Sequence, residues 1–259
     1  MDEDYFKILA LSQSLIPELQ ISPAHFLSAL ESEKKQTPQM KRGTLIHVLF
    51  YTPKEVGNLY SMYTGPTKGE GSRSQAADFK EKCKLGKLEA ITQKDLDEGN
   101  AVVEFLKSDK YVQRIIKGAS FEVPIVMEHP DYGVPIKGKL DSLSDEYISD
   151  LKTTSCSPDI WMRRGMDAQT YLQAAWYQML ARLRDGIERR FAYIVVDIRP
   201  PYQLSIIYPE ADLMRLAKKR CDKALLDFEK CFKANKFPRK PTQIIGWSVP
   251  NYLRNELDD

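Results

Sequence analysis

Residues 121–154 show the two-residue alternation typical of β-strands, and this stretch restricts the possible folds more than any other. It contains three strand-like runs, FEVPIVMEH, VPIKGKLDSL and EYISDLKTT. Turn-forming residues separate them at positions 130–133 and 144–145. The sequence therefore predicts a three-stranded antiparallel β-meander.

Helical patterns precede the meander. Residues 22–31 begin with Ser and Pro and predict a short helix, and residues 40–51 predict a nearly apolar helix that ends before Pro53. A Gly- and Ser-rich loop is expected at 63–75, followed by two or three helices within 75–117. The buried positions expected in this last part are Leu96, Val102, Val103, Leu106, Val112, Ile115 and Ile116.

Helices and strands alternate after the meander. Residues 167–184 give the strongest helix pattern, two strands interrupted by Pro200 and Pro201 follow, and a long helix is predicted over 210–235. With 259 residues, of which 42% are apolar, we expect a single α/β (α+β) domain with a mixed sheet flanked by helices. Its three parts are a mainly helical stretch (1–117), a core with the last helix (118–235) and a tail that wraps the surface (236–259).

Composition excludes several classes of protein. No run approaches the about 20 apolar residues of a membrane span, and the acidic start is unlike a secretory signal, so a cytoplasmic protein without membrane contact is expected. The four cysteines lack metal-site spacing and are expected to be reduced thiols. A net charge of +2 does not by itself indicate a nucleic-acid binder, so local basic clusters must supply any such surface.

Three charged residues stand out in the meander: Asp141, Asp150 and Lys152. Side chains two apart on a strand share a face, so Asp150 and Lys152 point together and Leu151 turns into the core. A hairpin centred between residues 144 and 145 places Asp141 opposite Ile148 and diagonal to Asp150. Two clustered carboxylates favour a hard cation, Mg²⁺ or Mn²⁺, and the adjacent lysine can stabilise charge on a phosphate. The alternative is an exposed strand with a surface ion pair.

Other candidates depend on the surrounding pattern. Glu122 begins a strand of the same meander, and Gln173 and Tyr177 share a helical face on which Gln169 and Thr170 are also expected. His47 is either an ordinary core histidine or a metal ligand. Arg163 and Arg164, between the third strand and the Gln173 helix, are the candidate DNA-binding residues together with Gln169; Trp161 and Trp176 can stack on bases but are expected in the core.

These residues resemble a known family, the PD-(D/E)xK nucleases, and within it the phage and prophage exonucleases of the exodeoxyribonuclease VIII type. The resemblance extends from about residue 20 to 250 and includes SPAHFLSAL, RGTLIHVLFYTP, GKLDSLSDEYISDLKTT, QTYLQAAWYQML and CFKANKFP in the family's order. It implies a restriction-endonuclease-like core. Lys139 stands where relatives carry Arg, and the cysteines lack the spacing of the iron–sulfur branch of the family.

The resemblance also implies roles for individual residues. It makes His47, Asp141, Asp150 and Leu151 the metal-binding set and Lys152 the catalytic lysine. Glu122 is similar to the family's acid on the first core strand, and Gln173 with Tyr177 to its Q-x-x-x-Y motif. All except His47 and Leu151 are expected to take part in catalysis.

The implied activity is Mg²⁺- or Mn²⁺-dependent digestion of linear double-stranded DNA from 5′ ends, which leaves 3′ single-stranded tails for recombination. The implied partners are DNA ends, further copies of the chain in a ring and a single-strand annealing protein, in a bacterial host cell that carries a phage or prophage. Two alternatives remain open. A structure-specific or nicking endonuclease can use the same core, and a non-catalytic DNA-end-binding module can retain the fold.

Overall fold

Helices form most of the first 115 residues, as the spacing of apolar residues predicts. The computed structural model describes residues 3–32, 36–66, 68–69, 71–244, 246 and 248–249. Its helices are α1 (Glu3–Lys7), α2 (Ile16–Ile21), α3 (Pro23–Glu31), α4 (Pro38–Tyr51), α5 (Val56–Leu59), α6 (Ser72–Leu85), α7 (Gln93–Ser108), α8 (Lys110–Ile115), α9 (Pro158–Asp167), α10 (Leu172–Asp185) and α11 (Ala211–Lys233). Its strands are β1 (Tyr60–Tyr63), β2 (Glu89–Thr92), β3 (Ser120–Glu128), β4 (Pro135–Leu143), β5 (Tyr147–Thr154), β6 (Arg190–Asp197) and β7 (Gln203–Ile207).

The predicted helix start at Ser22 is confirmed, and the helix predicted from residue 40 begins two residues earlier, at Pro38. The Ser22 side chain accepts a hydrogen bond from the His25 N–H, and Pro23 occupies the first helical position of α3. Thr37 caps α4 in the same way, again followed by a proline. Such caps satisfy backbone N–H groups that a helix start leaves without partners. The helix that carries His47 therefore has a defined beginning.

Strands β3 to β7 form a mixed sheet in sequential order. The pairs β3–β4, β4–β5 and β6–β7 are antiparallel, whereas β5 and β6 are parallel. A parallel pair needs a long crossover, and α9 and α10 supply it. The predicted meander and the mixed sheet flanked by helices are confirmed.

Two apolar clusters cover the two faces of the sheet. One packs α2, α3, α10 and α11 on the sheet around Trp176 and Phe228, and the other packs α4, α7 and α8 around Val102 and Leu106. Of the seven buried positions expected before the meander, five are buried, and Leu96 and Ile116 are partly buried. The two layers hold the sheet from opposite sides, so helices of either layer can reach its central strands.

The β4–β5 hairpin has a different register from the predicted one. Leu143 rather than Asp141 lies opposite Ile148. The reversal is held at Ser144, whose N–H donates to the Tyr147 carbonyl and whose hydroxyl accepts the Tyr147 N–H. The turn near residue 144 is confirmed, but the predicted register is wrong by two residues.

The helix predicted over 167–184 begins five residues later than expected, and the preceding helix α9 was not predicted. α9 ends at residue 167, α10 begins at Leu172, and Gln169 between them has a left-handed backbone with φ of 55°. The expectation that Gln169 and Thr170 share a helical face with Gln173 is therefore wrong, because both lie in the connection before α10.

Two short strands were not predicted. β1 and β2 form a separate parallel pair, with Tyr60 opposite Glu89. The loop expected at 63–75 is shorter than predicted, because Tyr63 ends β1 and α6 begins at Ser72. Within that loop, positions 67 and 70 lie outside the described residues.

The described beginning of the tail packs against α2 and α3. The ring of Phe237 stacks on Phe26 with centroids 5.7 Å apart, and Lys240 Nζ donates to the Gln20 carbonyl at 2.9 Å. The rest of the predicted wrapping tail, positions 245, 247 and 250–259, lies outside the described residues.

Among the helices that the structure describes, none combines the length and the apolar character that a membrane crossing requires.

Candidate active site

The central hairpin separates where its acidic residues lie. The β4–β5 ladder has two residue pairs and ends at Ser142 and Ser149, whereas β5 pairs with β6 along its whole length. Just beyond the ladder, Asp141 Oδ2 accepts the Leu151 N–H at 3.1 Å, so a carboxylate takes the place of a backbone acceptor. The opening between the strands contains Asp141 and the segment from Asp150 onward.

The neighbouring strand is irregular at the same level. Glu122 has φ of 54°, a left-handed conformation that is uncommon for residues other than glycine. Phe121 packs against the apolar cluster that contains α4, and Val123 packs against the cluster that contains α10, on the other face of the sheet. On a regular strand, residues two apart would share a face. Strained backbone of this kind often occurs at functional sites. It leaves the Glu122 carboxylate facing α4, where it meets His47.

His47 on α4 joins the two acids of β3 and β4. Its Nε2 lies 2.6 Å from Asp141 Oδ2, and its Nδ1 lies 3.1 Å from Glu122 Oε1. Burial disfavours the imidazolium, but the charges and hydrogen bonds of Asp141 and Glu122 outweigh it and raise the His47 pKa to about 10. Without a bound metal ion the ring is therefore protonated between two carboxylates at neutral pH, and a metal ion at Nε2 would displace the proton there.

Asp150 and Lys152 form a second charged group on β5. Lys152 Nζ lies 2.7 Å from Asp150 Oδ2, and Gln173 Nε2 donates to Asp150 Oδ1 at 2.5 Å. Burial and the charge of Asp141 raise the Asp150 pKa to about 6, although Lys152 acts in the opposite direction. Burial would lower the Lys152 pKa, but the charges of Asp150 and Asp141 outweigh it and raise that pKa above its usual value.

The structure also places Lys139 at the site, as an ion-pair partner of Glu122 on the neighbouring strand. Burial opposes the charge of Glu122, but hydrogen bonds from His47 and Lys139 lower its pKa to about 2. In the sequence, Lys139 differs from the arginine of related sequences, but nothing in the sequence predicts its ion pair with Glu122. The pairing depends on the β3–β4 register, which no local pattern shows.

Tyr177 lies one turn after Gln173 on α10, as the four-residue spacing predicts, and its side chain is buried. Burial raises the pKa of its hydroxyl well above the usual value, and the charges of Asp150 and Asp141 act in the same direction. It remains a neutral phenol beside the second charged group. The predicted common face of Gln173 and Tyr177 is confirmed.

A divalent cation fits the donor set. Donor atoms of His47, Glu122 and Asp141 all lie within 4.8 Å of one another. The buried Asp150 Oδ2 contacts Lys152 Nζ as an ion pair but accepts no hydrogen bond of good geometry among the described residues. Carboxylates and one imidazole suit Mg²⁺ or Mn²⁺ better than they suit soft metals. In such a site Glu122 would orient the His47 ring from its second nitrogen.

The remaining predicted residues lie around this site. The Leu151 side chain is in the core, as predicted, and its N–H contacts Asp141. Arg163 and Arg164 are exposed on α9, and Gln169 donates to Gln20 Oε1 at 3.0 Å. The four cysteines are free thiols.

The chain belongs to the family described as "PDDEXK-like domain of unknown function (DUF3799)", whose model matches residues 12–244. A comparison with curated protein sequences finds no match. The fold is similar to that of a "Putative exonuclease" from Eubacterium rectale, with 16% identity, coverage of 86% of this chain and 84% of the other, and a TM-score of 0.52.

A second solved structure is a phage related exonuclease from Haemophilus somnus 129PT. It is 13% identical, with coverage of 66% of this chain and 91% of the other and a TM-score of 0.29, which is too low to support an inference. The family match therefore establishes the PD-(D/E)xK class, and the first structure agrees with the fold.

Proposed function

We propose that this protein is a metal-dependent exodeoxyribonuclease that hydrolyses linear double-stranded DNA. The observation that carries the proposal is the meeting of two charged groups where β4 and β5 separate: His47 with Glu122 and Asp141, and Asp150 with Lys152. A bound divalent ion would neutralise the acids, activate a water molecule and stabilise charge on a phosphodiester. This combination suits phosphodiester hydrolysis.

Each side chain of the site has a separate role in the proposed reaction. Lys152 keeps a full charge, and its side chain is 31% exposed, so its ammonium can contact a phosphate oxygen while it remains near Asp150. Gln173 holds Asp150 in one orientation by donating to its second oxygen. Glu122 and Lys139 hold the His47 ring from the side away from Asp141. Tyr177 packs close to Gly138 of β4, which keeps α10 against the sheet.

Matched circular and linear DNA tests the proposal. Covalently closed and linearised forms of one plasmid are incubated with Mg²⁺ or Mn²⁺, with a chelator as control. We expect the linear form to be degraded and the closed circle to persist. Cutting of the closed circle would identify the endonuclease alternative, and binding of ends without hydrolysis of either form would identify a non-catalytic end-binding module.

The finer parts of the proposal follow from the family resemblance. They are 5′ to 3′ direction, Mg²⁺ as the cellular ion, 3′ tails passed to an annealing protein, a ring of identical subunits and a phage or prophage origin. Duplexes labelled at the 5′ or the 3′ end test the direction, because early release of the 5′ label is expected. Sedimentation of the purified protein tests the ring.

A further inference from the structure

A cavity of about 410 Å³ opens beside Lys152. It does not include the group formed by His47, Glu122 and Asp141. It is lined by the start of α2 and the segment before it, by strand β5, and by α9, α10 and the connection between them. Its volume is within the range of small-molecule pockets, about 300–1,000 Å³. It is large enough for either the phosphate group or the base of a nucleotide.

The lining of the cavity is polar but almost uncharged. Lys152 is the one charged side chain among its described lining residues, and its ammonium contacts Asp150. The other lining groups are amides, hydroxyls, small apolar groups and one indole ring. A phosphate pocket normally uses arginine or lysine. Neutral donors and acceptors beside an aromatic ring are instead typical of sites that bind a nucleobase.

Gln169 has an unused hydrogen-bonding group at this cavity. Its backbone is left-handed, with φ of 55°, and its Nε2 donates to Gln20 Oε1. Its Oε1 is buried and has no hydrogen-bond partner among the described residues. Buried polar atoms in native proteins nearly always have a partner. A donor on a bound base would satisfy this oxygen once rotation of the Gln169 side chain turns it toward the cavity.

The two tryptophans considered for stacking differ in position. Trp176 is 0% exposed, and its Nε1 donates to the Lys137 carbonyl, so it belongs to the core. Trp161 is only partly buried, borders the cavity and meets the Tyr193 ring edge-on with centroids 5.3 Å apart. The Tyr193 contact fixes the position of the Trp161 ring beside the cavity.

We propose that this cavity binds the nucleobase adjacent to the phosphodiester that Lys152 contacts. Trp161 stacks on the base, and Gln169 accepts a hydrogen bond from its edge. The assignment rests on the proposed nuclease function, because it places the scissile phosphate at Lys152. It adds that the enzyme holds the base of the reacting nucleotide and not the sugar–phosphate backbone alone.

Binding of small probes tests the cavity without hydrolysis. Deoxyadenosine monophosphate and 2-deoxyribose 5-phosphate are titrated into the wild-type protein and followed by ligand-observed NMR. Stacking of a base on an aromatic ring predicts that the nucleotide binds about 5- to 150-fold more tightly. Trp161→Phe should keep most of this ratio, Gln169→Ala should reduce it, and Trp161→Ala should bring it close to one. Equal affinities of the two probes for the wild-type protein overturn the proposal even if a variant fails to fold.

Hydrolysis separates this proposal from the function on which it rests. Linear duplexes with an ordinary or an abasic terminal nucleotide at both ends are compared. We expect slower release of the abasic residue by the wild type and no such difference with Trp161→Ala. If no DNA is hydrolysed but the base still strengthens probe binding, the nuclease proposal is wrong and the cavity assignment stands. If DNA is hydrolysed but neither assay depends on the base, the cavity assignment is wrong.

Discussion

Asp150 is 1% exposed and lies near both a like charge, Asp141, and an opposite one, Lys152. Asp150→Asn keeps the oxygen that accepts from Gln173 but removes the charge. Hydrolysis should fall about 100-fold or more, as when one electrostatic group of an active site is lost. The free energy of unfolding should stay within about 1 kcal/mol, because relief of burial and repulsion offsets the lost ion pair. Hydrolysis rates and urea unfolding measure the two effects.

Asp145→Asn is the matched control, because it makes the same substitution at an exposed position of the same hairpin. It should leave both rate and stability unchanged. Near wild-type hydrolysis by Asp150→Asn would contradict the role given to this carboxylate.

Part of the site can be predicted from single residues and their spacing. Asp150 and Lys152 are two residues apart, so their side chains lie on the same face of β5. Gln173 and Tyr177 are four residues apart, so their side chains lie on the same face of α10. The left-handed backbone of Glu122 could not be predicted, because no glycine or turn sequence marks it. That conformation depends on contacts with distant parts of the chain.

At the scale of elements, α10 packs unusually close to β4 at Gly138. A Cβ built on Gly138 would lie 2.4 Å from Leu180 Cδ1 and 3.2 Å from Tyr177 Cε1. Because Leu180 is fully buried, Gly138→Ala should displace its side chain and strain the α10–β4 contact, which should cost about 1–3 kcal/mol of stability, as overpacking does in other cores. It should also weaken hydrolysis, because α10 carries Gln173. Chemical denaturation and rate measurements check both effects.

Gly57→Ala is the control for this prediction. No atom lies within 4 Å of a Cβ built there, and the residue is helical in α5. Its effect should be neutral or stabilising by up to about 1 kcal/mol. Equal stability of the two variants would show that the α10–β4 contact is not tight.

A buried ion pair connects the end of α10 to the β4–β5 hairpin. The Arg189 side chain is 4% exposed, bonds both oxygens of Asp185 and donates from Nε to the Ser144 carbonyl. Asp185→Asn leaves a buried guanidinium without its carboxylate and should cost about 2–3 kcal/mol at pH 7. Asp212→Asn, which breaks an exposed pair with Arg215, should cost about 0–1 kcal/mol.

The pH dependence of this effect has a defined sign. The hydrogen bonds and charge of Arg189 lower the pKa of Asp185 below its usual value of 3.8. The pair therefore contributes its full stability above pH 4 and loses it as the pH falls through the lowered pKa. Unfolding curves of the wild type and Asp185→Asn should converge below pH 4. A difference that stays constant down to low pH would contradict this account.

The elements differ in how well the sequence predicts them. The meander and the long helices follow from periodicity, because each contains enough residues for a repeat to appear. The late start of α10 does not, because residues 168–171 separate it from α9 without a proline or glycine to mark the boundary. Four-residue β1 and β2 are too short for a periodic signal, and their parallel pairing joins residues about thirty apart.

In the whole molecule, the site lies at the junction of the two helical layers. α4 of one layer supplies His47, and α10 of the other supplies Gln173, while β3, β4 and β5 between them carry the acids. The order of the elements could be predicted from the sequence, but the hairpin register could not. Asp141 and Asp150 share the site because the β4–β5 ladder ends after two residue pairs and the strands separate beyond it. Where β5 separates from β4, it remains paired with β6.

Metal binding should therefore stabilise the whole fold. His47, Glu122 and Asp141 come from three different elements, so the unfolded chain cannot bring together the ligands His47 and Asp141 and the carboxylate of Glu122 that orients the ring. Mn²⁺ at about 100 times its Kd should raise the free energy of unfolding by about 2.7 kcal/mol, and a chelator should reverse the effect. His47→Gln should abolish most of this stabilisation. His25→Gln, which changes an exposed histidine of α3, should retain it. Thermal unfolding with and without Mn²⁺ measures the difference, and an equal response of wild type and His47→Gln would place the metal elsewhere.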